Sequence, residues 1–284
     1  MRKNVFKAQL SVVLSTGFLG GVGGFLLHVS GISEMMEGPF VKEEGVGPAT
    51  INALILVALL LIGALLLLII SKIKLSFMKI LGYFSFFTAT FIVCLVYLYA
   101  LNAPLNIPEP VSLLVAIIVL YLVTAHPLSL TTAAAQVCIG SLLGPLIASM
   151  VPSSSLLAML IAAALYDIFS VYKGPLKALL DQFTEHSKEL PEKKTRSSPL
   201  VPFAINLGDA AIGMGDIVFY SSLSSLSLTT PTLDLIRFTL ILVSMFIGLQ
   251  LTFKLLEKYR YAPALPLPIT ISVATYILYN LVRG

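Results

Sequence analysis

The sequence predicts an all-α membrane protein of nine transmembrane helices, with the N-terminus inside and the C-terminus outside. Three observations predict it. Of the 284 residues, 57% are hydrophobic and only 11% charged, against roughly 25% charged in a soluble domain. Apolar runs recur from end to end, each close to the ~20 residues that a helix needs to cross a bilayer. The basic residues alternate in density between successive connections, as cytoplasmic and external loops do.

The first run, from Ala8 to about Val29, follows Arg2, Lys3 and Lys7 and so mimics a signal peptide. It is too long for a typical signal core and no A-x-A cleavage site follows, so it is taken as a retained first span. The remaining spans fall at about 49–71, 77–100, 111–126, 130–150, 154–172, 206–228, 233–254 and 263–282. With the N-terminus inside, the inner segments hold Arg2, Lys3 and Lys7; Lys72, Lys74 and Lys79; Lys173, Lys177, Lys188, Lys193, Lys194 and Arg196; and Lys254, Lys258 and Arg260. Only Lys42, Arg237 and Arg283 fall elsewhere, and the first outer loop carries Glu34, Glu37, Glu43 and Glu44. One span more or fewer would scramble this pattern, so the count and the orientation support each other.

Three parts result: helices one to six in residues 1–172, an inner cytoplasmic loop with an amphipathic helix in 173–205, and helices seven to nine in 206–284. Within the loop, Pro175 suits a helix start. Leu176, Leu179, Leu180 and Phe183 then form an apolar stripe suited to the membrane surface. The net charge of +4 is a matter of topology, not of nucleic-acid binding. Cys94 and Cys138 lie inside apolar runs and read as core residues. No internal repeat suggests an inverted-repeat transporter. No His, Cys and acid grouping has metal-ligand spacing, and no cofactor is implied. The glycines of the first span, Gly17, Gly20, Gly21, Gly23 and Gly24, suit close helix packing.

Two acids stand inside apolar runs, where an Asp costs roughly 2.5–3.5 kcal/mol at the bilayer centre. Asp167 lies in the sixth span and Asp216 in the seventh, neither with a basic residue in its own span. Asp167 precedes Lys173 by six residues, or ~9 Å below the inner surface. Asp216 reaches the same depth on an antiparallel helix if the seventh span meets that surface near residue 210, with Asp209 at the water boundary. Two carboxylates within hydrogen-bond reach share a proton. One then accepts a proton from water while the other donates to a carbonyl oxygen, which is the chemistry of peptide hydrolysis without a metal. Gly213 and Gly215 leave room beside Asp216 for a helix or peptide backbone. Read alone, the acids also fit a proton or cation transporter or a leak channel. Ser221, Ser222, Ser224 and Ser225 have no nearby base and suit hydrogen bonding within or between helices.

At these residues the sequence resembles the presenilin and signal peptide peptidase family of intramembrane aspartyl proteases. Tyr166-Asp167 stands in the sixth span, Gly213-Met214-Gly215-Asp216 (the GxGD signature) in the seventh, and Pro263-Ala264-Leu265 at the start of the ninth. Lys173-Gly174-Pro175-Leu176, the run from Asp216 through Tyr220-Ser221, and Pro263 to Ile269 are more similar to presenilin than to signal peptide peptidase. So is the basic, inner loop between the two Asp spans. The resemblance implies Asp167 and Asp216 as the catalytic pair. It implies Tyr166, Gly213 and Gly215 as support, and Pro263, Ala264 and Leu265 as a substrate-holding segment. It implies transmembrane protein or peptide substrates met within the lipid bilayer. Asp209 stands outside the motif, because Asn206 occupies the first glycine position of a second GxGD. The inner loop is far shorter than presenilin's and the first outer loop is short too. The likeness is therefore closest to a compact prokaryotic or archaeal-type homologue in the cell membrane. No obligatory accessory subunits are implied, and a homo-oligomer is left open.

Overall fold

The computed structural model describes residues 2–73, 75–104, 106–127, 129–175, 177–178, 201–206, 211–258 and 263–283. Its helices are α1 (Arg2–Val29), the short α2 (Ile32–Met35), α3 (Val46–Ile73), α4 (Leu75–Ala100), α5 (Pro108–Ala125), α6 (Leu130–Ser149), α7 (Ser153–Tyr172), α8 (Met214–Thr229), α9 (Leu235–Lys258) and α10 (Pro266–Arg283). Among the described residues, seven stretches are long and apolar enough to cross a membrane: Leu10–Val29, Val46–Lys72, Phe77–Ala100, Pro108–Ala125, Leu130–Ser149, Ser153–Tyr172 and Leu235–Leu256. The protein is an integral, multi-pass membrane protein. Of the expected inner loop, residues 179–200 lie outside the described residues, as does Asp209.

The seventh expected span differs from the sequence reading. Its first part is not helical. Ala204–Asn206 (β1) pairs antiparallel with Ala211–Gly213 (β2), with Ile205 opposite Ile212, and the helix begins only at Met214. The reason is packing. Ile205 and Ile212 are buried together with Val12, Val137 and Ile217, so the hairpin closes one end of the helix bundle with its apolar face. The ninth span opens irregularly, as prolines at 263, 266 and 268 dictate: α10 begins at Pro266 and leaves Pro263-Ala264-Leu265 as non-helical chain.

The centre of the molecule is α8, packed against both α1 and α6, which also touch each other. The pairs α3–α7, α4–α5 and α9–α10 surround this core. Residues 217–229 are buried except for half-buried Phe219. A helix enclosed by protein need not be hydrophobic toward lipid. That is why α8 can carry five serines; at 16 residues it is only ~24 Å long, shorter than a ~30 Å hydrocarbon core.

Small residues bring the three central helices into contact. A Cβ on Gly20 would stand 2.7 Å from the Ser221 backbone, and one on Gly144 would stand 2.4 Å from the Val218 carbonyl oxygen. At that separation side chains reach backbone acceptors on the neighbouring helix. The Ser222 hydroxyl donates to the Gly144 carbonyl oxygen at 2.9 Å and to that of Val218 at 2.8 Å. Close approach plus interhelical hydrogen bonding is the usual source of helix association in lipid. The first-span glycines and the serines of α8 thus serve the packing read from the sequence.

A polar cluster ties the opposite end of α10 to the α8–α9 connection. One Asp234 carboxylate oxygen caps α9, accepting from the N–H groups of Ile236 (3.0 Å) and Arg237 (3.1 Å). The other accepts from the Tyr279 hydroxyl at 2.7 Å and pairs with Arg283. Arg237 is 2% exposed and donates to the carbonyl oxygens of Ser227 (2.6 Å) and Thr232 (2.7 Å). A buried guanidinium is tolerable only with partners of this kind.

Two outcomes are expected. Gly144→Ala should destabilise the protein by ~1–3 kcal/mol through overpacking, read as a lower Tm in detergent. Gly63→Ala, where an added Cβ meets nothing within 4 Å, should not; equal Tm values for the two would refute the packing account. The second outcome concerns pH. Desolvation acts against the Asp234 charge, but the Arg237 N–H, the Tyr279 hydroxyl and Arg283 outweigh it and hold its carboxyl down at about 2, from an ordinary 3.8. A depressed pKa contributes stability that is present above the unfolded value and lost as the folded value is approached. Between pH 4 and pH 2, Tm should therefore fall more steeply for the wild type than for Asp234→Asn.

Candidate active site

Asp216 occupies the first turn of α8, three residues past its N-cap, Gly213. Its carboxylate turns back to accept the Gly213 N–H at 3.2 Å, one half of the reciprocal arrangement of a capping box. Two constraints hold this turn. The β1–β2 pairing orients Gly213, and the Met214 N–H donates to the Phe203 carbonyl oxygen at 2.9 Å. The hairpin that displaced the expected helix thus aims Asp216. The partial positive charge of the α8 N-terminus also faces this carboxylate.

Asp167 lies one and a half turns before the C-terminal end of α7, which packs against α8. The two acids thus stand on two helices in contact. Both are half-buried. Asp167 accepts the Leu265 N–H at 3.1 Å. That donor stands just ahead of α10, whose first helical bond runs from the Ile269 N–H to the Leu265 carbonyl oxygen at 3.0 Å. Prolines at 266 and 268 donate no N–H, so the α10 N-terminus is poor in donors and Leu265 supplies one.

The Pro263-Ala264-Leu265 segment therefore lies against the acids. Leu265 is buried with Ile269, Leu160 and Tyr220, while Pro263 and Ala264 are half-buried. On the far side of the segment, the Tyr220 hydroxyl donates to the Ala264 carbonyl oxygen at 2.8 Å. Tyr220 is 1% exposed. Its sequence signal is simple: it follows Asp216 by four residues, so the two share one face of α8.

The two glycines of the motif differ. A Cβ on Gly213 would come within 3.1 Å of the Asp216 carboxylate, tight enough to disturb the capping bond. A Cβ on Gly215 would meet nothing within 4 Å, and Gly215 is exposed. Open space thus adjoins Asp216 at this position. The Tyr166 hydroxyl donates to the Leu60 carbonyl oxygen at 3.3 Å, fastening α7 to α3 beside Asp167.

The arrangement is two carboxylates at a helix–helix contact, bordered by non-helical backbone and by open space at a glycine. Its chemical capability is proton exchange between the acids and a bound molecule, next to main-chain groups able to pair with a peptide.

No family model matches the chain. It is 31% identical over 136 residues to Presenilin-B of Dictyostelium discoideum, a match covering 45% of this chain and 26% of that protein. The chain thus spans about a quarter of the length of the curated relative it matches. Its fold is similar to solved structures of a presenilin family intramembrane aspartate protease. In the C222 crystal form the TM-score is 0.66 at 16% identity, covering 98% of this chain and 99% of that one. In the P2 form it is 0.60 at 17% identity, covering 96% of each. The resemblance to the presenilin family therefore holds in sequence over the matched stretch and in fold over nearly the whole chain.

Proposed function

We propose that this chain is an intramembrane aspartyl protease of the presenilin type, hydrolysing peptide bonds within or near transmembrane helices of other membrane proteins. The observation that carries the reading is the placement of Asp167 and Asp216 on the contacting helices α7 and α8, with the Pro263–Leu265 backbone bonded to Asp167. The presenilin-like fold and the partial identity to a presenilin support it. The ion-transport alternative has no specific observation in its favour.

In the proposed reaction the ionised carboxylate of the pair takes a proton from water. The water oxygen bonds to the scissile carbonyl carbon, and the protonated carboxyl gives its proton to the carbonyl oxygen. Collapse of the tetrahedral intermediate breaks the C–N bond, and the amine leaves with a proton from the dyad. Asp167 and Asp216 act as one coupled unit. Gly213 sets the Asp216 turn, and the open flank of Gly215 admits the substrate backbone. Pro263, Ala264 and Leu265 border the scissile region, where an unwound stretch of substrate pairs with main chain as an added strand does. Tyr166 supports Asp167 by fixing α7 to α3. In this reading α8 and α10 complete nine spans with the N-terminus inside. The division at 172 and 205 separates six helices, the cytoplasmic loop and the last three helices. Accessory subunits are not required.

Cleavage of a single-span test substrate by the purified protein in lipid is the primary test. Asp167→Asn and Asp216→Asn keep an acceptor for Leu265 and for Gly213, so Tm should hold while cleavage falls by more than about a hundredfold. A folded variant that still cuts would sink the assignment. Gly215→Ala should change stability by no more than about 0.5 kcal/mol, because its Cβ has free space. It should nevertheless cut cleavage by about tenfold or more, since small displacements at the reacting bond are costly. Unaltered kinetics in this variant would show that nothing approaches Gly215.

A further inference from the structure

We propose that Tyr220 is a positioning residue that holds the Ala264–Leu265 peptide plane in register with the two aspartates. The inference rests on the protease reading only for its effect on cleavage; its structural content stands apart.

The Ala264 carbonyl and the Leu265 N–H belong to the same peptide unit. In a trans peptide these groups point in opposite directions, and among the described residues only Thr230–Pro231 is cis. The oxygen of this unit accepts from Tyr220 on α8 at 2.8 Å, and its N–H donates to Asp167 on α7 at 3.1 Å. One peptide plane is thus gripped from both sides by the two helices that carry the acids. Rotation of the plane would break both bonds at once.

Tyr220 stands one helical turn from Asp216 on a helix enclosed by protein. The distance from Asp216 to the gripped oxygen is therefore set by rigid elements: the α8 backbone and a buried ring with two side-chain torsions. Asp167 is joined to the same plane directly. The plane joins Asp167 directly, and Asp216 through the α8 backbone, into one unit in which the Tyr220 hydroxyl supplies the link on the α8 side. Non-helical backbone needs hydrogen-bond partners from the protein or from a water-lined cavity, and without Tyr220 the Ala264 carbonyl loses its protein partner.

A buried tyrosine hydroxyl needs some acceptor in any fold, and a purely structural role would be served largely by the ring. Tyr220→Phe separates the two, because it keeps the ring and removes the donor. Per folded molecule, Tyr220→Phe should lower kcat about tenfold, the order of one such lost hydrogen bond, and spread cleavage over neighbouring peptide bonds, read by mass spectrometry of the products. A second readout needs no protease activity. In a Cys94→Ala, Cys138→Ala background, Ala264→Cys is labelled with a water-soluble maleimide. Labelling should accelerate several-fold when Tyr220→Phe is added. Unchanged labelling together with wild-type cleavage sites and kcat would overturn the proposal. Faster labelling in a protein whose wild type cuts no test substrate would uphold the positioning role and refute the protease reading instead.

Discussion

Main chain that leaves a helix must find new hydrogen-bond partners for its N–H and C=O groups, and the rest of the site depends on how Pro263–Leu265 meets that demand. Its partners are Asp167 and Tyr220. A carboxylate in a span is costly unless it is paired or hydrogen-bonded, and an unpaired N–H there is costly too. The Leu265–Asp167 bond lowers both costs together. It couples the start of α10 to the end of α7, so the placement of the last helix and the orientation of the first acid form one problem with one solution.

That solution requires the helices to come close, and the close approach is supplied by residues that have almost no side chain. Gly20, Gly24 and Gly144 let α1 and α6 lie directly on the serine face of α8. With α8 fixed on two sides, Asp216 and Tyr220 project from a rigid support instead of a loop. At its N-terminal end, the β1–β2 pairing sets the direction from which the chain enters the helix. At the other end, the Asp234–Arg237 cluster fastens α10 to the α8–α9 connection. The segment beside the acids is thus held at both ends of the helix that follows it and at its own peptide plane.

Much of this was legible in the sequence because the bilayer imposes strong, local rules. Long apolar runs announce spans, and Asp167 and Asp216 stood out because their surroundings make a carboxylate expensive. The beginning of the seventh span was misread for a reason equally local. Ala204–Asn206 and Ala211–Gly213 are short apolar runs, and periodicity does not distinguish strand from helix at such lengths. Their state is decided by Val12, Val137 and Ile217, which come from elsewhere in the chain. Tyr220 falls within the presenilin-like run after Asp216, but the sequence assigns it no role of its own, because an aromatic residue in a span is ordinarily packing. Only its contact with Ala264, 44 residues away, distinguishes it.

The sequence by itself determined the membrane class, most helix positions, the small-residue packing stripes and which two acids stand inside apolar runs. These follow from composition and short-range spacing, which act within one segment. The tertiary structure alone decided that α7 and α8 touch, that a hairpin precedes Asp216, and that one peptide plane is held between the acids' helices. These depend on residues far apart in the chain, and their energies exist only once the helices have packed.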